Sequence, residues 1–250
     1  MALADELIAE YTKGTDTLAD LADKEITAFF AQLDLTNPAA CREGIQRAMY
    51  YWVSNYGKVA AELAAQFYEA AGGNPADLAT VINPQQLRRA TNYATRHLYS
   101  EDPKKALASV TQLADKSIRQ FGRDTIARNS VRDRVRWARV PSLSTGKACA
   151  FCIMLASRGS IYATQDKALQ AQDGTRYHGG CRCRAIPIGL FQAYPEGYDP
   201  DFMYEEIYLK ARKTLSGKEA SDPKKILAVM RQQSSEFVEE GHHDDLESAA

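Results

Sequence analysis

The sequence predicts a mainly α protein with a small α+β domain: a helical N-terminal half, a compact Cys/His-containing knuckle and C-terminal helices. Three observations carry that expectation. Apolar residues recur at helical intervals through the first half, Asx-Pro pairs cut that half into segments, and four of the five cysteines crowd into one short stretch whose texture is no longer helical. At 250 residues, 45% hydrophobic and 25% charged, the chain is long enough for one large or two ordinary domains with cores of their own. The expected organisation is a helical domain over 1–134, the knuckle over 135–190, a C-terminal helical extension over 191–240 and a mobile acidic tail over 241–250.

Residues 3–33 place Leu7, Tyr11, Leu18, Ile26 and Phe30 at helical spacing, and Asn37-Pro38 marks a boundary. A second helix from Pro38 to about Ala71, rich in Ala and aromatics, stops at Gly72-Gly73-Asn74-Pro75. Its aromatics recur at helical intervals, as core residues do. Asn83-Pro84 offers an N-cap and first helical position for a helix to about Leu98, and Asp102-Pro103 repeats the signal for a longer one to about Val135. Cys41 reads as a small packed residue, and His97, near a helix end, as a partner of the helix dipole without further role.

The second half changes texture. Trp137, Arg139 and Pro141 alternate with Ala138 and Val140 as an edge strand would, and 142–146 is a turn-rich approach to the first cysteines. Ile161-Tyr162 and Cys181 to Ile188 supply the other expected strands, with Asp173-Gly174 as a turn between them. Helix resumes from Asp201 to Leu215, and another begins at Asp222-Pro223 and runs to about Glu240. His242-His243 read as tail residues.

The cysteines form two clusters, Cys149-Ala150-Phe151-Cys152 and His178-Gly179-Gly180-Cys181-Arg182-Cys183. Met1 to Glu6 has no basic start of an export signal, so a chain made in the cytoplasm is expected, and thiols clustered there point first to a tetrahedral metal, zinc above others. On a short helix over 148–158, Cys149 and Cys152 are i and i+3 and share a face. In an extended strand Cys181 and Cys183 are i and i+2 and also share one. Five candidates then compete for four places: Cys149, Cys152, Cys181 and Cys183 as the preferred set, with His178 as substitute. Three alternatives stand beside the metal: buried thiols without a ligand, disulfides formed after exit from a reducing compartment, and a nucleophilic Cys with His178 as its base.

The run Ala148 to Tyr162, followed by Tyr177 to Pro187, resembles the Mu F-like phage head morphogenesis domain. The shared order is C-x2-C, a Leu, a Gly with a following aromatic, then H-x2-C-R-C and a Pro, over roughly residues 135–190. Tyr177 stands where many members carry Pro, and Gly179-Gly180 where Pro-Asn is usual. The resemblance implies a minor head protein of a tailed phage, a structural virion component without enzymatic activity. Its expected partners are the portal protein and major capsid protein, with packaged DNA as a further one, and its expected location is the phage head, after assembly in the host cytoplasm.

A net charge of −1 conceals asymmetry. Residues 1–35 hold eight Asp or Glu against two Lys, whereas Lys116 to Lys147 holds nine basic residues against Asp124 and Asp133, and beyond Arg231 the acidic residues have no Lys or Arg among them. Arg128, Arg132, Arg134 and Arg136 are the candidate anionic-partner residues, since guanidinium forks grip phosphates and release counterions. The plainer reading of Arg119, Arg123, Arg128 and Arg132, spaced near four apart, is a solvated helix face or pairs with acidic helices. No apolar run approaches the roughly 20 residues of a membrane span, so no membrane partner is expected. No Gly-rich phosphate loop, nucleophile elbow or H-E-x-x-H pair suggests an enzyme. The competing function is a zinc-knuckle nucleic-acid-binding regulator, which would prefer particular duplexes where a head protein would not.

Overall fold

The computed structural model describes residues 2–79, 82–142, 147–160 and 181–239. The chain divides into two compact units: Glu6–Arg128, and a second built from Asn129 onward together with the residues up to Asp5. Among the described residues the architecture is mainly α, with short strands only in the second unit.

The regular elements described in the first unit are all helical. The unit comprises α1 (Ala2–Phe30) from Glu6 onward, α2 (Pro38–Ala70), α3 (Pro84–Ala94), two 3-10 turns (Arg96–Tyr99 and Pro103–Lys105) and most of α4 (Ala106–Arg132). Leu18, Ala22, Ile26 and Phe30 of α1 are buried at a strict four-residue interval, and they share one core with Ile45, Met49, Trp52 and Val53 of α2 and Val110, Ala114, Ile118 and Phe121 of α4. Phe29 meets Trp52 edge-on with centroids 5.4 Å apart, and Tyr11 stacks on Phe67 at 4.6 Å.

The Asx-Pro pairs act where local chemistry lets them. Asn37 caps α2 by accepting from the Ala40 amide, and Asn83 caps α3 by accepting from both Gln85 and Gln86. Asp102 makes no such cap, so the expected long helix opens as a 3-10 turn and α4 proper starts at Ala106. α3 is shorter than its apolar pattern suggests. Thr91 and Thr95 turn their hydroxyls onto the Leu87 and Thr91 carbonyls, and the α-helix gives way to the 3-10 turn over Arg96–Tyr99.

Gly57 marks a close approach between α2 and α4. A Cβ there would lie 2.7 Å from Cδ2 and Cε2 of the Phe121 ring. Gly57→Ala is therefore expected to destabilise the first unit by about 1–2 kcal/mol, overpacking of up to ~3 kcal/mol being offset by the ~1 kcal/mol that alanine contributes to a helix. Urea denaturation checks this, and a stabilised variant would show that the ring gives way freely.

In the second unit, β1 (Ala138–Val140) is followed by β2 (Ala148–Cys149), α5 (Ala150–Ala156) and β3 (Arg184–Ile186). β1 pairs antiparallel with β3, Ala138 opposite Ile186 and Val140 opposite Arg184. Then come α6 (Ile188–Phe191), α7 (Pro200–Phe202), a π-helical segment over Met203–Leu209, α8 (Lys210–Lys213), a 3-10 turn (Glu219–Ser221), α9 (Pro223–Gln233) and β4 (Val238–Glu239). Ile153, Ile186, Ile207, Leu227 and Met230 are almost wholly buried. Tyr198, also buried, donates its hydroxyl to the Ala156 carbonyl at 2.7 Å, closing the end of α5.

Two expectations are corrected here. β1 is buried at all three residues, so its burial does not alternate as expected. The last helix stops at Gln233 rather than near Glu240, because the chain turns to lay β4 parallel against β2, with the Ala148 amide donating to the Phe237 carbonyl at 3.0 Å. The expected strand at Ile161-Tyr162, the turn at Asp173-Gly174 and the tail with His242-His243 lie outside the described residues. No helix among the described residues is long and apolar enough to cross a membrane.

Candidate metal centre

Cys149 is not inside a helix, as the sequence suggested, but is the N-cap of α5, the last residue of β2. Its Sγ accepts the backbone N–H of Cys152 at 3.2 Å. The C-x2-C spacing thus has a concrete local meaning: the first sulfur satisfies one of the orphan amides of the helix start, and that bond holds the second cysteine on the same side. A Ser or Asp would serve equally well as a cap, so the choice of thiol needs another reason.

Cys181 and Cys183 sit just ahead of β3, both buried, with Arg182 between them exposed. The strand ladder begins at Arg184, later than expected, yet the alternation that puts both thiols on one side is present. The side-chain sulfurs of Cys152, Cys181 and Cys183 all lie within 4.8 Å of one another, with Cys152 and Cys181 at 3.4 Å. Cys149 packs against this trio and is partly exposed. All four are in the thiol form, none in a disulfide. Around a zinc ion with Zn–S bonds of ~2.3 Å, tetrahedral sulfurs stand about 3.8 Å apart. The cluster is near that spacing, and three buried thiols converging from two chain segments can hold a metal ion. Three soft thiolates suit zinc in preference to a hard cation, and such an ion would supply cross-linking of α5 to the strand pair. His178 lies outside the described residues.

One further residue belongs to the site and was not foreseen. Arg139 of β1 is only 5% exposed, its Nη2 donates to the Cys181 sulfur at 3.5 Å, and its guanidinium lies 5.7 Å from the centroid of the Phe151 ring. The signal available in the sequence was its alternation with Trp137 and Pro141, which puts it on one side of an apolar strand.

The environment of the protonated cluster opposes ionisation. Cys152 is held well above the ordinary thiol range, first by its hydrogen bond with Cys149, then by those with Cys181 and Cys183 and by burial. Burial pushes Cys183 up as well, and the nearby Arg139 charge only partly counters it. A thiol raised on folding contributes stability below its unfolded value and loses it as pH climbs toward the folded one. Whatever stability the metal-stripped protein retains at pH 7 is thus expected to fall as pH rises above ~8.5. Denaturant midpoints at pH 7 and 10 check it. A flat profile in stripped protein would sink the idea.

The four candidate arginines are all exposed. They do not continue the series begun by Arg119 and Arg123, which are 8% and 3% exposed. At 100° per residue the five-residue step from Arg123 to Arg128 carries Arg128 to about 180° from Arg119, so one helix has a buried and a solvated set of arginines. Arg119 realises the pairing reading, donating from Nε to Asp115 and from Nη1 to Asp16 at 2.7 and 2.8 Å. Arg132 already engages Asp133 with two nitrogens, at 2.8 and 3.0 Å. Arg134 ends α4 in the left-handed conformation at φ 57°, a place usually given to glycine, while the Val135 amide reaches back to the Ser130 carbonyl at 2.8 Å.

A family model described as VG15 protein matches residues 3–211. That span takes in the first unit, the four arginines and all four clustered cysteines. No curated protein and no solved structure matches the chain.

Proposed function

The chain belongs to the VG15 family of viral proteins, and from that premise we propose that it is a minor head protein of a tailed phage, assembling with the portal and major capsid proteins. The observation that carries the reading is the extent of the family match, which joins the helical unit and the cysteine centre in one viral protein. The likeness of residues 135–190 to Mu F-like head morphogenesis domains supplies the finer assignment. In this reading the helices offer the assembly surfaces, and the metal centre cross-links a second unit whose strands are two or three residues long. The role is structural, not catalytic.

Co-expression with the portal protein of the same genome, followed by pull-down and imaging, tests the proposal. A defined ring-bound complex is expected. Absence of ring binding together with tight, sequence-selective duplex binding would overturn it in favour of the regulator.

Exposure of Arg128, Arg134 and Arg136 favours a contact with packaged DNA that is tolerant of sequence. Charge reversal of these three is expected to weaken binding to unrelated duplexes equally and to reduce the slope of log affinity against log salt by up to about 3, at ~0.9 per lost phosphate contact. Arg132→Glu should add less, since its guanidinium already engages Asp133. An unchanged slope in duplex titrations at several salt concentrations would remove DNA from the partners.

A further inference from the structure

A metal held by three or four thiolates is an anionic object. Three thiolates around a divalent ion leave a net charge of −1 and four leave −2, and burying that charge is costly unless a cation accompanies it. Cys152, Cys181 and Cys183 are each 3% exposed or less, so water does little of that work.

Arg139 is the cation in place. Arginine stays charged whatever its surroundings, and this one is itself buried, so the site brings a fixed positive charge with it. Its position is determined twice. Backbone pairing sets Arg139 of β1 opposite Ala185 of β3, two residues beyond Cys183, and the guanidinium lies within cation–π distance of Phe151, which sits between Cys149 and Cys152. From there Nη2 reaches the Cys181 sulfur at 3.5 Å, a normal length for a hydrogen bond to sulfur.

We propose that Arg139 is a positioning residue of the metal centre, offsetting the negative charge of the metal–thiolate cluster through its contact with Cys181 and thereby tightening the hold on zinc. The inference rests on the metal reading of the cysteine cluster. It assigns Arg139 apart from the exposed arginines offered to DNA, although all belong to the same basic stretch. Donors to a metal's ligands typically change metal affinity 10–100-fold when removed.

The test uses the full chain as wild type, Arg139→Met and Arg139→Lys, each titrated with zinc against a chromophoric chelator and, separately, with cobalt(II) to read the thiolate-to-metal absorption. Methionine keeps an apolar side chain under Phe151 and loses the charge, whereas lysine keeps the charge. Arg139→Met is expected to lower zinc affinity ~10–100-fold while still binding one ion per chain at saturation with the thiolate–cobalt band intact, and Arg139→Lys to recover a large part of that loss. Unchanged affinity in Arg139→Met overturns the proposal. So does equal weakening of both variants, which would mark the guanidinium as packing alone. If Arg139→Met does not fold, Arg139→Lys decides: affinity within about tenfold of wild type supports the charge role, and a loss beyond about a hundredfold overturns it. A wild-type chain that binds neither zinc nor cobalt fails the metal reading itself, a result distinct from all of these.

Discussion

Cys181→Ser is expected to abolish stoichiometric zinc and to leave the second unit without a stable fold, while the helices of Glu6–Arg128 keep theirs. Cys181 sits between the other thiols and Arg139: its sulfur lies 3.4 Å from that of Cys152, within 4.8 Å of that of Cys183, and accepts from Arg139. Serine preserves the volume but offers a hydroxyl, a poor zinc ligand at neutral pH. Structural zinc sites of small domains carry apparent binding energies of about 10–16 kcal/mol at pH 7, and the energy is folding energy when no site exists in the unfolded chain. Here the strands are two or three residues long, far too little to persist without support. Elemental analysis gives the first readout, with one zinc per chain expected in wild type and none in the variant. Hydrogen exchange gives the second, with protection lost in α5 and β3 and retained in α2 and α4. A variant with wild-type protection in α5 would show that apolar packing alone holds the unit.

Arg119→Ala should destabilise the first unit by about 3 kcal/mol. Removing one partner of a buried ion pair typically costs 3–5 kcal/mol, because the remaining charge is left unpaired. Here two carboxylates lose their partner, but the side chains of Asp115 and Asp16 are 23% and 40% exposed, so water recovers part of the loss and the lower end applies. The Arg119 guanidinium is desolvated by burial, and the two carboxylates more than compensate, holding its pKa above the ordinary arginine value. Asp16→Asn should cost less than Arg119→Ala, since Asp115 still satisfies Nε. Denaturant titrations of both variants check the order. A cost under ~1 kcal/mol for Arg119→Ala would mean that solvent already screens the triad.

The parts of the fold legible in the sequence were those fixed by neighbours along the chain. Asn37, Asn83 and Asp222 each place a side-chain oxygen over the amides of a helix that begins with proline, and the pairing of a capping oxygen with a fixed φ can be recognised without tertiary information. Likewise Cys181 and Cys183 share a side because an extended chain alternates, whichever residue opens the ladder. What was not legible depended on distant partners. The C-terminal helix was extended too far because nothing near Gln233 announces that Phe237 and Val238 have a strand waiting at Ala148. Arg139 was counted only as one of the nine basic residues from Lys116 to Lys147, because its burial is decided by Phe151 and Cys181, residues it meets only after folding. The division between Arg119 and Arg128 lies between these cases. The helical phase was there to compute, and treating spacings of four and five as equivalent concealed it.

The parallel pairing of Ala148 with Val238 joins residues about ninety positions apart. A ribosome adds roughly 5–20 residues per second, so some 5–20 s separate the emergence of Cys149 from that of the strand beside it. Helical units rich in local contacts fold in microseconds to milliseconds. During synthesis the Glu6–Arg128 helices therefore have ample time to fold, and all four clustered thiols have been translated, before the partner strand of Cys149 exists.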